Sequence, residues 1–369
     1  MSTLATNVIT DASGGNTATI NSYTPTESNM AGRNRIINGG MVFDQRNAGA
    51  SVTAVNGAYT VDRWLCTVSQ SSKFTAQQNA GSVTPPAGYV NYLGCTSSSA
   101  YSVTSTDFLG INQRIEGVNT ADFGWGSANA KTVTLSFWVR SSLTGTFGGS
   151  LMNSGFDRSY PFTYTISSAN TWEQKSITIA GDTSGTWLST NGVGVRVFFS
   201  LGCGSTRLGT AGAWTGSSDI FSATGETSVV GTSGATFYIT GVQLEAGSVA
   251  TPFERRQYGQ ELALCQRYFT KFYTDTVYGY FWTGFSDATT IFSAAAPLPT
   301  AMRAQPTVTV SAIRVYGPSV GAISSSGTNR SSTTSIAFEA SGSGFTTNAP
   351  GVLQANNNAS AYITASSEL

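Results

Sequence analysis

The chain contains no histidine among its 369 residues. That absence removes the commonest general base, the commonest metal ligand and the side chain that titrates near neutral pH. Ser-His-Asp and Cys-His catalysis cannot be assembled from such a chain, and histidine-rich zinc or iron sites are excluded. Charge is scarce too. Only 10% of residues are charged, against about 25% in ordinary globular domains. The 19 basic and 19 acidic residues cancel, which argues against capture of nucleic acid or of an anionic membrane by charge. The four cysteines, Cys66, Cys95, Cys203 and Cys265, form no CxxC pair. Neither a zinc knuckle nor a thioredoxin-type motif is therefore present, and the four read as buried free thiols. No apolar run reaches the ~18 residues of a membrane span. The first residues, MSTLATNVITDASGG, have neither the basic nor the apolar region of a signal peptide. No metal site, cofactor or membrane insertion is expected.

What the chain has instead is glycine, serine and threonine. Glycine accounts for 41 residues, above the usual share of about 7%, and hydroxyls rather than charges keep the strands soluble. The 40% hydrophobic content is enough to build real cores. Short alternating runs bounded by Gly, Ser, Asn and Thr recur along the chain and predict an all-β fold. Over 34–253 the strand candidates are Arg35–Phe43, Arg63–Ser69, Lys73–Gln78, Phe108–Ile115, Thr132–Val139, Phe162–Ile166, Glu173–Ile179, Gly194–Phe199 and Ala235–Val242. They predict a jelly-roll β-sandwich. Alternation puts Val133, Leu135, Phe137 and Val139 on one face. Long loops are expected at Ser141–Tyr160 and Gly202–Ser233. In residues 254–272 the period changes: Tyr258, Leu262, Cys265 and Phe269 fall on one face of a helix, which predicts a helical junction. Residues 273–369 return to β-structure, with strands at Val277–Phe285, Thr307–Tyr316, Thr334–Glu339 and Ala359–Thr364, a loop over 318–333 and an extended passage at Pro297–Pro306. They predict a smaller C-terminal β-domain. Residues 1–33 carry two short β-like runs that cannot stand alone in water, so an extended N-terminal segment used for anchoring and oligomerisation is expected.

Two blocks carry a resemblance. NRIINGGMVFDQRNAG at 34–49, followed by YTVDRW at 59–64, is similar to the opening of tail-fibre and other virion structural proteins of tailed bacteriophages. GVQLEAGSVATPFERRQYGQELALCQRYF at 241–269 is similar to a segment that recurs in the same proteins. The resemblance implies a carbohydrate-binding-module-like jelly roll and a place on the virion surface after synthesis in the host cytoplasm. It implies no catalytic set, and it leaves room for a structural calcium ion between loops. Together with the N-terminal segment it implies a homotrimer attached to other virion proteins through residues 1–33.

Few residues stand out for chemistry. Asp44, Arg46, Asp62 and Arg63 place acids beside arginines in both early motifs. They read as a structural ion-pair cluster, with a ligand-binding cluster as the other reading. Arg114 and Glu116 have the same status. A glycosidase needs two facing carboxyl groups. Glu116, Glu173, Glu245 and Asp182 qualify by type, but no spacing pairs them. Glycan binding needs less: flat aromatic faces and a few polar partners. Trp125, Trp187 and Trp214 sit among Gly and Ser where a ring could be exposed, and are the glycan-binding candidates; packing is the alternative for each. Trp64, Trp138 and Trp172 read as core or strand ends. The expected function is a non-enzymatic fibre or spike that meets host-surface polysaccharide. A capsid-decorating or head-fibre protein and a capsule depolymerase are the alternatives.

Overall fold

The computed structural model describes residues 32–317, 321–327 and 330–369. Almost all of the expected anchoring segment, residues 1–33, lies outside the described residues. The chain divides after Arg255 into two compact units, and both are β-structures.

The strands of the first unit are β1 (Val52–Thr53), β2 (Trp64–Val68), β3 (Phe74–Gln78), β4 (Leu93–Ser97), β5 (Phe108–Glu116), β6 (Val133–Ser141) and β7 (Gly145–Met152). They continue as β8 (Ser159–Ile166), β9 (Glu173–Ile179), β10 (Val193–Cys203), β11 (Leu208–Gly209), β12 (Ser222–Ala223) and β13 (Thr236–Ala246). One sheet has the order β1-β3-β4-β13-β6-β9 and the other β2-β5-β10-β7-β8. Every pairing within the two sheets is antiparallel. The chain changes sheet after β1, β2, β4, β5, β6, β8 and β9, and again on its way to β13. That wrapping is a jelly roll.

The core lies between the sheets. Val133, Leu135, Phe137 and Val139 face it together, each at most 1% exposed, as the alternation requires. From the opposite sheet Phe199 meets Phe137 edge-to-face, with centroids 5.0 Å apart, and Trp64 at 6.2 Å. The four cysteines are all buried. Burial alone pushes the Cys66 thiol up to about 12, so it is packing material rather than a nucleophile.

One expected strand is absent. Arg35–Phe43 is irregular backbone, although Ile36, Ile37, Met41 and Phe43 are buried. Asn38 and Met41 have positive φ, which no strand accommodates. Amide side chains take the place of a ladder. Gln113 accepts from the Ile37 N–H and donates to its carbonyl, both at 2.8 Å. Asn38 donates to the carbonyls of Phe43 and Asp62 and accepts from the Phe43 N–H. Asn34 accepts from the N–H groups of Ile36 and Leu244 and donates to the Val242 carbonyl. A Cβ on Gly39 would stand 2.2 Å from the Val242 oxygen, so only glycine fits there. The early block of sequence is thus knitted to the late one. The late block locks itself through Glu245, which accepts from the Thr251 N–H at 2.8 Å, the Thr251 hydroxyl at 2.6 Å and Gln243 Nε2 at 2.8 Å.

Strand β7 lies where a loop was expected. Its glycines are there for space: a Cβ on Gly149 would stand 2.2 Å from the Phe198 oxygen. Beside β7 sits an unusual acid, Glu226. Its residue is half-buried, with the carboxylate turned onto buried groups. Ser200 Oγ and the Cys203 N–H each donate to one oxygen at 2.8 Å, and Ser222 Oγ donates to the other. Burial outweighs these donors and pushes its pKa up to about 7. Asp107 shows the opposite balance. Burial works against its charge, yet the Thr104 N–H and the hydroxyls of Tyr101, Ser69 and Thr104 hold its pKa at about 2.

The second unit begins with helix α1 (Tyr258–Gln266). The expected helical stripe is shorter than read from sequence. Cys265 is fully buried and Leu262 half-buried, but Tyr258 is 68% exposed. Phe269 is buried on the following strand rather than on the helix. The strands are β14 (Phe269–Tyr273), β15 (Tyr280–Ala288), β16 (Ile291–Pro297), β17 (Thr307–Ser311), β18 (Ile313–Tyr316), β19 (Gly321–Gly327), β20 (Ser335–Gly342), β21 (Pro350–Ala355) and β22 (Tyr362–Ser366). Strands β14-β22-β17 form a small sheet, and β15-β16-β20-β19-β18-β21 close a barrel. Phe292, Val315, Ile336, Phe338, Leu353 and Ile363 belong to one core. Strand β19 runs through the expected loop over 318–333, and β16 ends at Pro297, where only an extended passage was expected.

Candidate functional site

Three loops meet at one end of the sandwich: 117–132 between β5 and β6, 180–192 between β9 and β10, and 204–221 after β10. Each carries one of the candidate tryptophans, and the structure brings all three together. Trp125 and Trp187 have ring centroids 4.7 Å apart, Trp125 and Trp214 5.2 Å, Trp187 and Trp214 5.3 Å. Every pair is edge-to-face, the geometry favoured by the ring quadrupoles. Each indole N–H is satisfied by backbone: Trp125 donates to Lys131 O at 2.8 Å, Trp187 to Ser184 O at 3.1 Å and Trp214 to Ala180 O at 2.7 Å.

The three rings are not equivalent. Trp125 is only 8% exposed and also touches Phe123. It is the hub of the cluster, which corrects the expectation of an exposed ring at this position. Trp187 and Trp214 are half-buried and pack against the rim of the core. A cavity of about 240 Å³ opens beside Trp125 and Trp187, lined also by Thr120, Ser127, Leu188 and Ser189 among others. Its lining joins an aromatic wall to hydroxyls. Its volume is below the roughly 300–1,000 Å³ of drug-sized sites, room for one hexose-sized ring.

The loops are held by polar contacts that sequence spacing did not reveal. Arg158 makes a bidentate pair with the buried Asp182, both bonds 2.7 Å. Asp182 Oδ1 also accepts from the Ser184 N–H, and its carbonyl accepts from the Gly126 N–H at 2.7 Å. Asn153 donates to Asp157 at 2.5 Å and to the Thr186 carbonyl at 3.1 Å. Thr215 pairs backbone to backbone with Ser159, and Trp214 meets the Tyr160 ring at 5.2 Å. The platform under Trp187 and Trp214 is therefore set before any ligand arrives. The lining residues Thr120, Ser127 and Ser189 gave no signal in a chain where hydroxyls are everywhere.

The early acid–arginine cluster lies elsewhere in the sandwich. Arg46 Nη1 is 3.8 Å from Asp62 Oδ1, and its guanidinium lies over the Tyr59 ring at 4.4 Å. Asp62 is buried and also accepts from Gln45. Arg63 is buried at a positive φ and donates to the Arg114 carbonyl at 2.6 Å. Asp44 departs from the expected arginine pairing: its oxygens accept from the N–H groups of Asn47 and Gly49 and close a turn. The four carboxylates considered for glycosidase chemistry are also spread out. Glu116, Glu245 and Asp182 are buried, the latter two in the networks described. Glu173 pairs with Lys175 at 2.6 Å and caps the Ser167 and Ser168 N–H groups. Among the described residues no three His, Cys, Asp or Glu side chains converge as a metal would require.

No protein-family model matches the chain, and no curated protein sequence matches it. Solved structures do. One is the enzymatically active domain of tailspike protein 4 of bacteriophage CBA120, with TM-score 0.31 and 10% identity over 58% of this chain. The match covers 21% of that tailspike chain. The crystal structure of a protein from Bacteroides thetaiotaomicron matches with TM-score 0.34 and 12% identity, over 58% of this chain and 100% of its own. A family 11 carbohydrate-binding module from Clostridium thermocellum, in complex with a mixed-linked tetrasaccharide, matches with TM-score 0.28 and 9% identity. That match covers 55% of this chain and 98% of the module. At these scores the likeness extends to no site, substrate or partner.

Proposed function

We propose that this protein is a glycan-binding structural subunit of a tailed-phage particle, a fibre or spike whose sandwich meets host-surface polysaccharide. The observation that carries the glycan reading is the half-buried Trp187 ring, fixed by a pre-formed platform and standing over a hydroxyl-lined cavity of about 240 Å³. A sugar presents a C–H face that stacks on an aromatic ring and hydroxyls that bond to Ser and Thr. Such a site binds without transforming its ligand, and the buried, engaged carboxylates of the sandwich fit binding better than hydrolysis. The virion reading is supported by the two sequence blocks of 34–64 and 241–269, whose residues knit one framework. In this reading residues 1–33 attach the chain to its particle and bring three copies together, so weak single sites gain by avidity. Head decoration is the second reading, since the same blocks fit a head fibre.

Two measurements test the proposal. Labelled antibody on intact particles is expected to mark the tail; marking of the head converts the reading to decoration. Truncation of residues 1–33 is expected to abolish incorporation while leaving the sandwich folded. Full incorporation of the truncated chain removes the anchoring role.

A further inference from the structure

The second unit carries a surface of a different kind. In the barrel, Gln354 of β21 is the register partner of both Tyr280 on β15 and Arg314 on β18. Cross-strand partners point to the same side of a sheet. Ile313, Val315, Leu353 and Ala355 are buried in the barrel core, so Arg314, Gln354 and Tyr316 point outward. Gln354 is nevertheless only 2% exposed. An outward amide so well covered lies under its neighbours, and its two register partners are Tyr280 and Arg314. The Arg314 guanidinium lies 5.0 Å from the Tyr278 ring centroid and 5.8 Å from that of Tyr316. Tyr278, Tyr280 and Tyr316 are 47%, 64% and 46% exposed.

A guanidinium in this position usually answers a carboxylate. Here, among the described residues, no acid pairs with Arg314, and its Nε is buried without a hydrogen-bond partner. Flanking rings hold the fork in place and lower the local dielectric, which strengthens any anion contact it makes. Exposed tyrosines on a soluble surface supply ring faces for stacking and hydroxyls for bonding. The combination suits a ligand that is at once flat-faced, hydroxylated and anionic.

We propose that the Tyr278–Arg314–Tyr316 face of the barrel binds the carboxylate-bearing sugar units of an acidic polysaccharide. The Arg314 fork takes the carboxylate, and the exposed Tyr280 ring takes the face of the same or the next sugar. This site belongs to the other compact unit and is independent of the Trp187 cavity, so either can fail alone.

The test uses the full chain with polygalacturonate, alginate and hyaluronate oligosaccharides and with neutral dextran, by titration calorimetry. Binding of at least one acidic chain is expected, with dextran much weaker. Arg314→Met keeps the apolar stem and removes the fork, and is expected to weaken acidic binding about tenfold or more. Arg314→Lys keeps the charge without the planar geometry and is expected to lose several-fold. Arg330→Met removes an equal charge from another part of the barrel and is expected to bind as the parent does. Melting temperature read on each variant identifies any that misfold, and the two Arg314 variants serve as substitutes for one another. Wild-type affinity in a folded Arg314 variant overturns the proposal. So does a parent chain that binds acidic chains no better than dextran. Light scattering in which Tyr280→Ser turns an oligomer into a monomer also overturns it, because the face would then belong to contact between copies.

Discussion

Replacing Glu226 by glutamine isolates a carboxyl group of the sandwich whose charge works against folding. The folded protein holds its proton up to about 7, whereas the ordinary value is 4.5. Between those values the folded state binds more protons than the unfolded chain, so stability falls as pH rises through the window. The favourable contribution of the protonated form is complete below about 4.5 and lost above about 7. The shift corresponds to at most about 3 kcal/mol, and to about 2 kcal/mol after allowance for the screening felt by a half-buried residue. Glutamine preserves the contacts. Its oxygen can keep the Ser200 and Cys203 donors, and its NH2 can donate to Ser222, whose hydroxyl turns to accept. The expected result is a variant about 2 kcal/mol more stable than the parent at pH 8 and nearly equal to it at pH 5. The background is favourable because the chain has no histidine. The assay is denaturant unfolding followed by tryptophan fluorescence at several pH values. It reports chiefly on the sandwich, since only Trp282 of the seven tryptophans lies beyond residue 214. Parent stability that is flat from pH 5 to 8, or a variant with the parental slope, refutes the reasoning.

Other substitutions probe the platform and the framework. Asp182→Ala leaves the Arg158 guanidinium without its bidentate partner and frees the loop that carries Trp187; a loss of about 3 kcal/mol is expected in the same unfolding assay. Gly39→Ala drives a methyl group into the Val242 carbonyl, so poor folding or a marked drop in melting temperature is expected, and a normal melt contradicts the described join between the two sequence blocks. Trp125→Ala removes the hub of the tryptophan cluster and is expected to cost about 3–5 kcal/mol, measured by denaturant unfolding. Acid unfolding of Asp107→Asn is expected to lose the part of the parental transition that lies below the usual carboxylate range, because the Asp107 carboxylate stabilises the fold above that range and releases the stabilisation as pH falls through about 2.

Local alternation was legible wherever a strand buries one face in regular fashion. Val133 to Val139 could be placed on the core from sequence alone. Strand β7 could not, because Gly148 and Gly149 look like turn residues when their neighbours are unknown, and only the closeness of Phe162 and Phe198 shows that glycine is needed for space. Arg35–Phe43 misled in the other direction. Its apolar residues are buried, but the side-chain amides of Asn34, Asn38 and Gln113 replace the ladder, and Asn38 and Met41 have positive φ. The helix signal at Tyr258 ran on to Phe269 because the period of apolar residues continues, although the helix itself stops at Gln266. The three loop tryptophans were chosen for their Gly and Ser surroundings. That they touch one another follows from loops separated by up to 89 positions, as does the Arg158–Asp182 clamp across 24, and no local spacing contains such information. The Tyr278–Arg314 face was equally hidden, since it is assembled from three strands of a barrel whose closure the sequence does not announce.

The most direct test of the glycan reading is the binding of purified protein to polysaccharide extracted from the host surface, for the parent, Trp187→Ala and Trp214→Ala, with melting temperature measured on the same samples. A stacked ring contributes about 1–3 kcal/mol. Trp187→Ala is therefore expected to lose about tenfold or more in affinity while melting close to the parent, because its ring is half-buried on a platform that Arg158 and Asp182 hold without it. Trp187→Ala that melts near the parent and binds with undiminished affinity contradicts the account.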